Sequence, residues 1–467
     1  MFYISTRGSA PRQSFSDILL SGLAPDGGLY MPEAWPQVDP SELAYFKNAS
    51  YEAAAFNILS LFAGQSFSDA ELKADIAAAY ASFDTPDIAP LVEIGPDLHL
   101  LELFHGPTLA FKDIAMQLLG RLFARSLAKK KTRAAVIVAT SGDTGSAAIA
   151  ALGGLANIEL FVLYPHNRIS EVQRRQMTAS GHANVHTIAL EGTFDDGQAL
   201  VKALFADADF AHKTHLTAVN SINFARIAAQ SVYYFTTAAK LGAAPVFVVP
   251  TGNFGDVFAG EAAKRMGLAI AKLVVATNTN DILARALNDG VYEAGSAKPS
   301  LSPSMDIQVA SNFERALFEA SGRDAASTAR AMQEFGRNHR LQLPEPVRAG
   351  LAELYAAFRA DDEETLATIA YVHTETGRLI DPHTAVAVAA ARKFASPRGV
   401  PKVVLSTAHA AKFPDAVARA TGQIPPVPTK LSGLYRRPEK MDILPVKLPL
   451  VRAYIEARLV HHESRNN

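Results

Sequence analysis

A chain of 467 residues is too long for one ordinary hydrophobic core, so two or three domains are expected, and 49% apolar residues place it in the globular class. With 45 basic residues against 46 acidic ones, no net field draws it to nucleic acid or an anionic membrane, and a small-molecule partner becomes the default. The absence of cysteine removes disulfides, thiolate nucleophiles and cysteine-ligated metal centres together. The opening "MFYISTRGSAPRQ" lacks the continuous apolar core of a secretory signal, and no segment approaches the roughly 20 apolar residues of a bilayer span. A soluble cytoplasmic protein is expected.

In chain order, the first hundred residues are rich in Pro, Gly and Ser ("STRGSAP", "GLAPDGGLYMP") before helical patterning at "YEAAAFNILSLF", which reads as a separate N-terminal domain. A helix opens at Lys112, with apolar residues recurring as Ile114, Leu118, Leu122 and as Leu119, Phe123, Leu127. From about Lys131 short β-branched runs alternate with amphipathic stretches. "AAVIVAT" (134–140), "IELFVLYP" (158–165), "NVHTIALEG" (184–192) and "APVFVVP" (244–250) read as strands. Between them fall helices that begin near Ser146, at "SEVQRRQMTASG" and at "INFARIAAQSVYYFTTAAKLG". That rhythm implies parallel sheets covered on both faces by helices. After Ala276 the composition shifts to a Ser/Pro-rich loop, Pro346 to Ala367 reads as one acidic, Ala-rich helical segment, and "KVVLST" reads as a late strand.

Four motifs could carry chemistry. In "LFHGPTLAFKD", Lys112 lies in the first turn of a helix, where a cation opposes the macrodipole. If Phe104, Leu109 and Phe111 partly desolvate it, its pKa falls and the amine is free for Schiff-base chemistry. Read alone, a lysine there more often snorkels its ammonium to water. "TSGDTGS", Thr140 to Ser146, and "PTGNFGD", Pro250 to Asp256, each join a strand end to a helix start. Backbone N–H groups converge there in a way that suits an anion, although any capped strand-to-helix turn favours the same residues. "NSINFARI" gathers Asn220, Ser221, Asn223 and Arg226 into a donor-rich cluster suited to a phosphate, or equally into a capping run with a surface arginine. "LSTAHAAKF" and "DPHTAVA" add polar strand and helix ends, but none of the 13 histidines is singled out by type alone. The spacing fits neither a P-loop nor a dinucleotide fingerprint, and no GxSxG elbow or HExxH helix appears.

Two anion cradles with a buried lysine suit pyridoxal phosphate, which has one phosphate to anchor and one aldehyde to capture. The run "YISTRG", "GLAPDGGLYMP", "LFHGPTLAFKD", "ATSGDTGSAA", "NSINFARI", "YYF", "PTGNFGD", "MDI", "SNFER", "DPHTAVA" and "STAHAAKF", in that order, resembles the threonine synthases, of the tryptophan-synthase-like fold-type II group of pyridoxal-phosphate enzymes. The resemblance runs nearly end to end. Ala410 stands where proline is common, which leaves Thr407 in place.

The resemblance implies an α/β fold: two open parallel-sheet domains with the cofactor in the cleft between them, plus an N-terminal α+β domain. Its implied boundaries are 1–95 for the N-terminal domain, 96–130 with 235–467 for the large cofactor-binding domain, and 131–234 for the small substrate domain. It implies that Lys112 carries pyridoxal 5'-phosphate as a Schiff base and then moves protons at Cα and Cβ. Gly252, Asn253, Phe254, Gly255 and Asp256 would cradle the cofactor phosphate, and the Thr407 hydroxyl would bond the pyridine nitrogen. Thr140, Ser141, Gly142, Asp143 and Thr144 would take the substrate α-carboxylate. Asp143 replaces the asparagine of related β-replacement enzymes, which leaves the direction of its carboxylate open. Asn220, Ser221 and Arg226 would hold a substrate γ-phosphate. The implied activity is that of a carbon–oxygen lyase acting on phosphates, turning O-phospho-L-homoserine and water into L-threonine and phosphate, with no metal, in a monomer or weak homodimer. Another fold-type II lyase such as a threonine or serine dehydratase or a sulfhydrylase, and a catalytically dead homologue acting in binding or regulation, are the competing readings. The roles of His105 and Thr108 are left open by the sequence.

Overall fold

The computed structural model describes residues 1–463. The chain forms two compact units, one of Met1–Ile18, Leu23–Ala115 and Ser221–Pro426, the other of Leu19–Gly22, Met116–Asn220 and Val427 onward. Among the described residues no helix is long and apolar enough to cross a membrane.

The first unit is built on six strands in the order Tyr355–Arg359, Lys272–Thr277, Val246–Pro250, Lys402–Ser406, Leu98–Glu102 and Leu91–Gly95. Neighbours run parallel except the last two, which are antiparallel. Val246–Pro250 is buried at every position, as a strand covered on both faces must be. One cover is the helix Pro382–Lys393, whose Ala and Val side chains pack with Val248, Val274 and Val404. Asp381 starts that helix by accepting from the N–H groups of His383 and Thr384, with proline at the first helical position. The helix Phe224–Leu241 is buried continuously from Phe224 to Ala238, begins at the Asn223 cap and ends at Gly242 in the left-handed region.

The N-terminal residues are part of this unit instead of a domain of their own. Tyr3–Ser5 pairs antiparallel with Tyr30–Pro32, and Arg7 grips Glu314 through two bonds of 3.0 and 2.9 Å while Thr6 adds a third at 2.6 Å. Glu314 is buried, so the segment is anchored through a charge that would otherwise be left unpaired in the interior.

The second unit holds five parallel strands in the order Asp442–Pro445, Val185–Glu191, Ile158–Pro165, Ala134–Ala139 and Leu216–Thr217. Its C-terminal portion was expected within the large domain. It joins the small sheet because Asp442–Pro445 extends that sheet's edge and Val451 and Ile455 fill the same core as Phe161, Ile188 and Leu190. A second difference lies at 346–367. Helices Glu345–Leu354 and Asp362–Thr376 flank a strand, Tyr355–Arg359, paired with Lys272–Thr277, where one helical segment was expected. Ladder pairing and the burial of Tyr355 and Ala357 outweigh the helical preference of alanine.

Candidate active site

Lys112 is the first residue of the helix Lys112–Lys130, which starts in the first unit and continues into the second. The turn ahead of it is pinned from several sides. Leu109 is held at φ 60°, a left-handed conformation that costs a branched residue about 1–2 kcal/mol. The Phe111 N–H donates to the Thr407 carbonyl at 2.8 Å, and the His409 N–H donates to the Leu109 carbonyl at 3.1 Å, so the lysine turn is stitched to the end of the strand Lys402–Ser406. Thr108 gives its N–H and hydroxyl to the Asp113 carboxylate at 2.8 and 2.7 Å, and the fully buried Lys412 donates to the Thr108 carbonyl at 2.9 Å. Burial pushes the Asp113 carboxyl up to about 6, against the Thr108 hydrogen bonds and the Lys412 charge. His105 is bracketed by Asp84 and Glu102 at 2.8 and 3.0 Å. These contacts give both residues left open by the sequence a place in shaping the turn. The Lys112 ammonium, half-buried, lies 4.9 Å from the Phe111 ring centre.

Thr407 is buried, and its hydroxyl has no protein partner among the described residues. Its backbone therefore fixes the Lys112 turn while its side chain stays available to a ligand.

The loop Gly252–Gly255 ends in the helix Gly255–Arg265. Phe254 sits at φ 64°, its ring anchored 5.2 Å from both Phe313 and Tyr355, which turns the chain sharply into the helix. The Phe258 N–H is bonded to the Phe254 carbonyl, so the N–H groups of Gly255, Asp256 and Val257 have no partner within the helix, the arrangement by which a helix start can receive an anion. A Cβ on Gly252 would lie 2.8 Å from the Ser304 carbonyl oxygen, and only glycine lets the loop pass there. The Asp256 carboxylate takes no part in such a cradle. Its Oδ1 accepts from the Tyr233 and Tyr234 hydroxyls while Oδ2 is buried and partnerless among the described residues. Burial raises this carboxyl to about 7, opposed by the tyrosine hydrogen bonds and then by the charges of Lys112 and Arg226.

Arg226 stands in the first turn of Phe224–Leu241, where the sequence left open a solvent-exposed side chain. It is 3% exposed, and Nε and Nη1 have no partner among the described residues. Desolvation lowers its guanidinium to about 10, against the nearby Tyr233 and Asp256. A buried guanidinium with two unsatisfied donors is costly in the protein alone and is relieved by an anion. Ser221 is half-buried and its carbonyl accepts from Asn312 Nδ2 at 3.1 Å; the half-buried Asn220 closes the second unit.

In the second unit, Gly142 at φ 134° precedes the helix Asp143–Leu152. Thr140 Oγ1 accepts from the N–H groups of Gly142 and Gly145, each at 2.9 Å, so this hydroxyl is consumed by the turn. Gln173 Nε2 donates to Asp143 Oδ1 at 2.9 Å, which directs this carboxylate into the unit's own packing. The half-buried hydroxyls of Ser141 and Thr144 are left outside the turn's own bonding.

Fold and site together define a pyridoxal-phosphate-dependent α/β enzyme of fold-type II, and the family model described as pyridoxal-phosphate dependent enzyme matches residues 89–357. Two further models, threonine synthase N terminus and threonine synthase C-terminal, match residues 2–80 and 384–455. A threonine synthase of Pseudomonas aeruginosa is 48% identical over 97% of this chain and 98% of its own. The crystal structure of a pyridoxal-phosphate-bound threonine synthase from Brucella melitensis superposes with a TM-score of 0.95 at 48% identity, over 98% of this chain and 99% of that one. The yeast threonine synthase structure gives 0.93 at 39% identity over the same shares. The chain belongs to the threonine synthase family, and its cofactor is pyridoxal phosphate. The residues present fit that group: an amine at Lys112, an unpartnered hydroxyl at Thr407, a helix start with free N–H groups behind a glycine that admits no Cβ, and a buried cation in want of an anion.

What reading the sequence missed is the support around these residues. Asp113, Lys412, Tyr233, Tyr234, Asn312 and Arg315 lie within quoted motifs but had no role assigned. Their polar types at helix-buried positions are the one sequence signal that could have marked them.

Proposed function

We propose that the chain converts O-phospho-L-homoserine and water to L-threonine and inorganic phosphate. The observation that carries the reading is the buried, unsatisfied guanidinium of Arg226 in the same unit as Lys112 and the glycine loop. Pyridoxal phosphate, when bound, supplies an electron sink for charge that develops on the substrate's Cα. Lys112 anchors the cofactor and, once exchanged for the substrate amine, takes the Cα proton, relays a proton from Cβ as the Cγ–O bond to phosphate breaks, and returns protons to Cγ and Cα. The hydroxyl of water ends on Cβ, and the proton it leaves behind balances the one carried off by the released phosphate. Gly252, Asn253, Phe254 and Gly255, with the backbone N–H of Asp256, hold the cofactor phosphate. Thr407 meets the ring nitrogen with a neutral hydroxyl, which tempers the sink and suits elimination and replacement.

Ser141 and Thr144 with the backbone of Thr140, Gly142 and Asp143 receive the α-carboxylate; Asn220, Ser221 and Arg226 receive the γ-phosphate. An unpaired buried cation rejects substrates without that phosphate, because it would be left desolvated and uncompensated. The chain works in the cytoplasm as a monomer or weak homodimer. The test is an assay of phosphate release from O-phosphohomoserine with threonine detected in parallel. Faster turnover of free serine or threonine would overturn the reading.

A further inference from the structure

Between the cofactor-phosphate loop and the Ser221–Asn223 loop lies one buried pair of side chains, Asn312 and Arg315, both fully shielded from solvent. Asn312 Nδ2 donates to the Ser221 carbonyl at 3.1 Å and to the Asn253 carbonyl at 3.0 Å, and the Asn312 backbone N–H adds a second bond to Asn253 at 3.1 Å. Asn312 Oδ1 in turn accepts from Arg315 Nη1. Arg315 Nη2 donates to the Ile222 carbonyl at 2.6 Å and to the Tyr30 carbonyl at 3.2 Å. Arg315 makes no ion pair among the described residues, so its work is done by the fork of donors.

A trans peptide is planar, and its C=O and following N–H point in opposite directions. Fixing the Asn253 carbonyl therefore turns the Phe254 N–H away from Asn312. Fixing the Ser221 and Ile222 carbonyls does the same for the N–H groups of Ile222 and Asn223. Gly255 belongs to the same arrangement, since a Cβ there would lie 3.2 Å from Asn312 Nδ2. Both loops are thus oriented by one amide, and that amide is held by one guanidinium.

We propose that Asn312 and Arg315 are positioning residues that set the cofactor-phosphate loop and the substrate-phosphate loop as a single preorganised unit, so that the two phosphate sites are energetically coupled. The inference rests on the assignment of the substrate phosphate to Ser221 and Arg226 made above. It reaches beyond that assignment in making the two sites interdependent through residues assigned to neither phosphate.

The experiment uses the full chain with Asn312→Asp, which keeps size and the Arg315 contact but sets an acceptor against two carbonyl oxygens. Arg315→Lys, which keeps the charge but loses the fork, is a second variant should the first fail to fold. Three quantities are measured: pyridoxal phosphate affinity by absorbance titration of the cofactor-free protein, KM and kcat for O-phosphohomoserine, and the melting temperature. We expect the cofactor dissociation constant and KM to rise together, each tenfold or more, at temperatures well below melting. Values within twofold of the wild type in a folded variant, or a rise in only one of the two, would overturn the coupling. Loss of melting temperature with both constants unmoved would reduce the pair to a packing role and overturn it as well. A wild-type protein that releases no phosphate would sink the reaction assigned above and the substrate half with it, whereas the cofactor titration decides the cradle half independently.

Discussion

The backbone N–H of Phe111 donates to the carbonyl of Thr407 at 2.8 Å, although the two residues are far apart in the chain. The bond sets the position of Lys112, one residue on, relative to the hydroxyl of Thr407. In the roles proposed above, Lys112 and Thr407 must be held at fixed separation for one rigid cofactor to meet both, and backbone bonding does this without using either side chain.

Replacing Lys112 by alanine removes the anchor while leaving the backbone bonds of its turn. The expected result is a folded protein, by circular dichroism, that has lost the lysine-bound cofactor band near the visible edge and retains no cofactor after borohydride reduction. Persistence of the band would exclude Lys112 as the anchor.

The Thr407 hydroxyl has no protein partner among the described residues, so Thr407→Ala costs little in packing. We expect a shifted cofactor absorption spectrum with cofactor affinity changed less than about tenfold, equivalent to about 1.4 kcal/mol. Thr407→Ser should restore the spectrum. An unaltered spectrum in the alanine variant would remove Thr407 from the ring-nitrogen role.

For Arg226→Met the expectation has two parts. KM for O-phosphohomoserine should rise about 10- to 100-fold, the scale of about 1.5–3 kcal/mol for charge-assisted bonds. In addition, inorganic phosphate should raise the melting temperature of the wild type more than that of the variant, because its buried, unsatisfied guanidinium is gone. Equal phosphate stabilisation in both proteins would show that the anion binds elsewhere.

Asp113 gives a pH dependence of stability. Its carboxyl stands near 6 in the folded protein against an ordinary value of 3.8. A raised acid contributes fully below the unfolded value, and that contribution is lost as pH rises through the folded one. Relative to Asp113→Asn, the wild type should therefore lose stability between about pH 4 and pH 6, by at most about 3 kcal/mol. Urea unfolding of both proteins at pH 4, 5 and 6.5 measures it, and a stability difference that does not move with pH would contradict the buried-acid account.

Gly252→Ala places a methyl 2.8 Å from the Ser304 carbonyl oxygen and 3.0 Å from Ile307 Cδ1, so the loop must move. Cofactor affinity is expected to fall about tenfold or more, read by titration of the cofactor-free protein. Unchanged affinity would mean that the loop does not bear the phosphate.

Much of this was open to inspection in the linear sequence, for reasons that are local. Buried parallel strands read as unbroken Val/Ile/Leu runs, so the strands at 134–139, 158–165 and 246–250 stand out. Glycine and hydroxyl residues at strand ends mark the turns at Thr140 and Gly252, and Lys112 stands out as a cation at the wrong end of a helix. The strand Tyr355–Arg359 did not stand out, because its alanines favour a helix and only the partner strand Lys272–Thr277 makes it extended. The C-terminal strand Asp442–Pro445 gave no signal of its own, being four residues whose place depends on an edge offered by Val185–Glu191.

The sequence by itself determined residue chemistry: which side chains could be nucleophile, cradle or cation, and that no thiol chemistry was possible. Tertiary structure decided direction and environment, which depend on which residues the folded chain brings into contact. It turned the Asp143 carboxylate to Gln173 and the Asp256 carboxylate to Tyr233 and Tyr234, spent the Thr140 hydroxyl on its own turn, and buried Arg226 with Nε and Nη1 unpartnered among the described residues. Burial and hydrogen-bond partners set what a charged group will do, and no linear pattern specifies either.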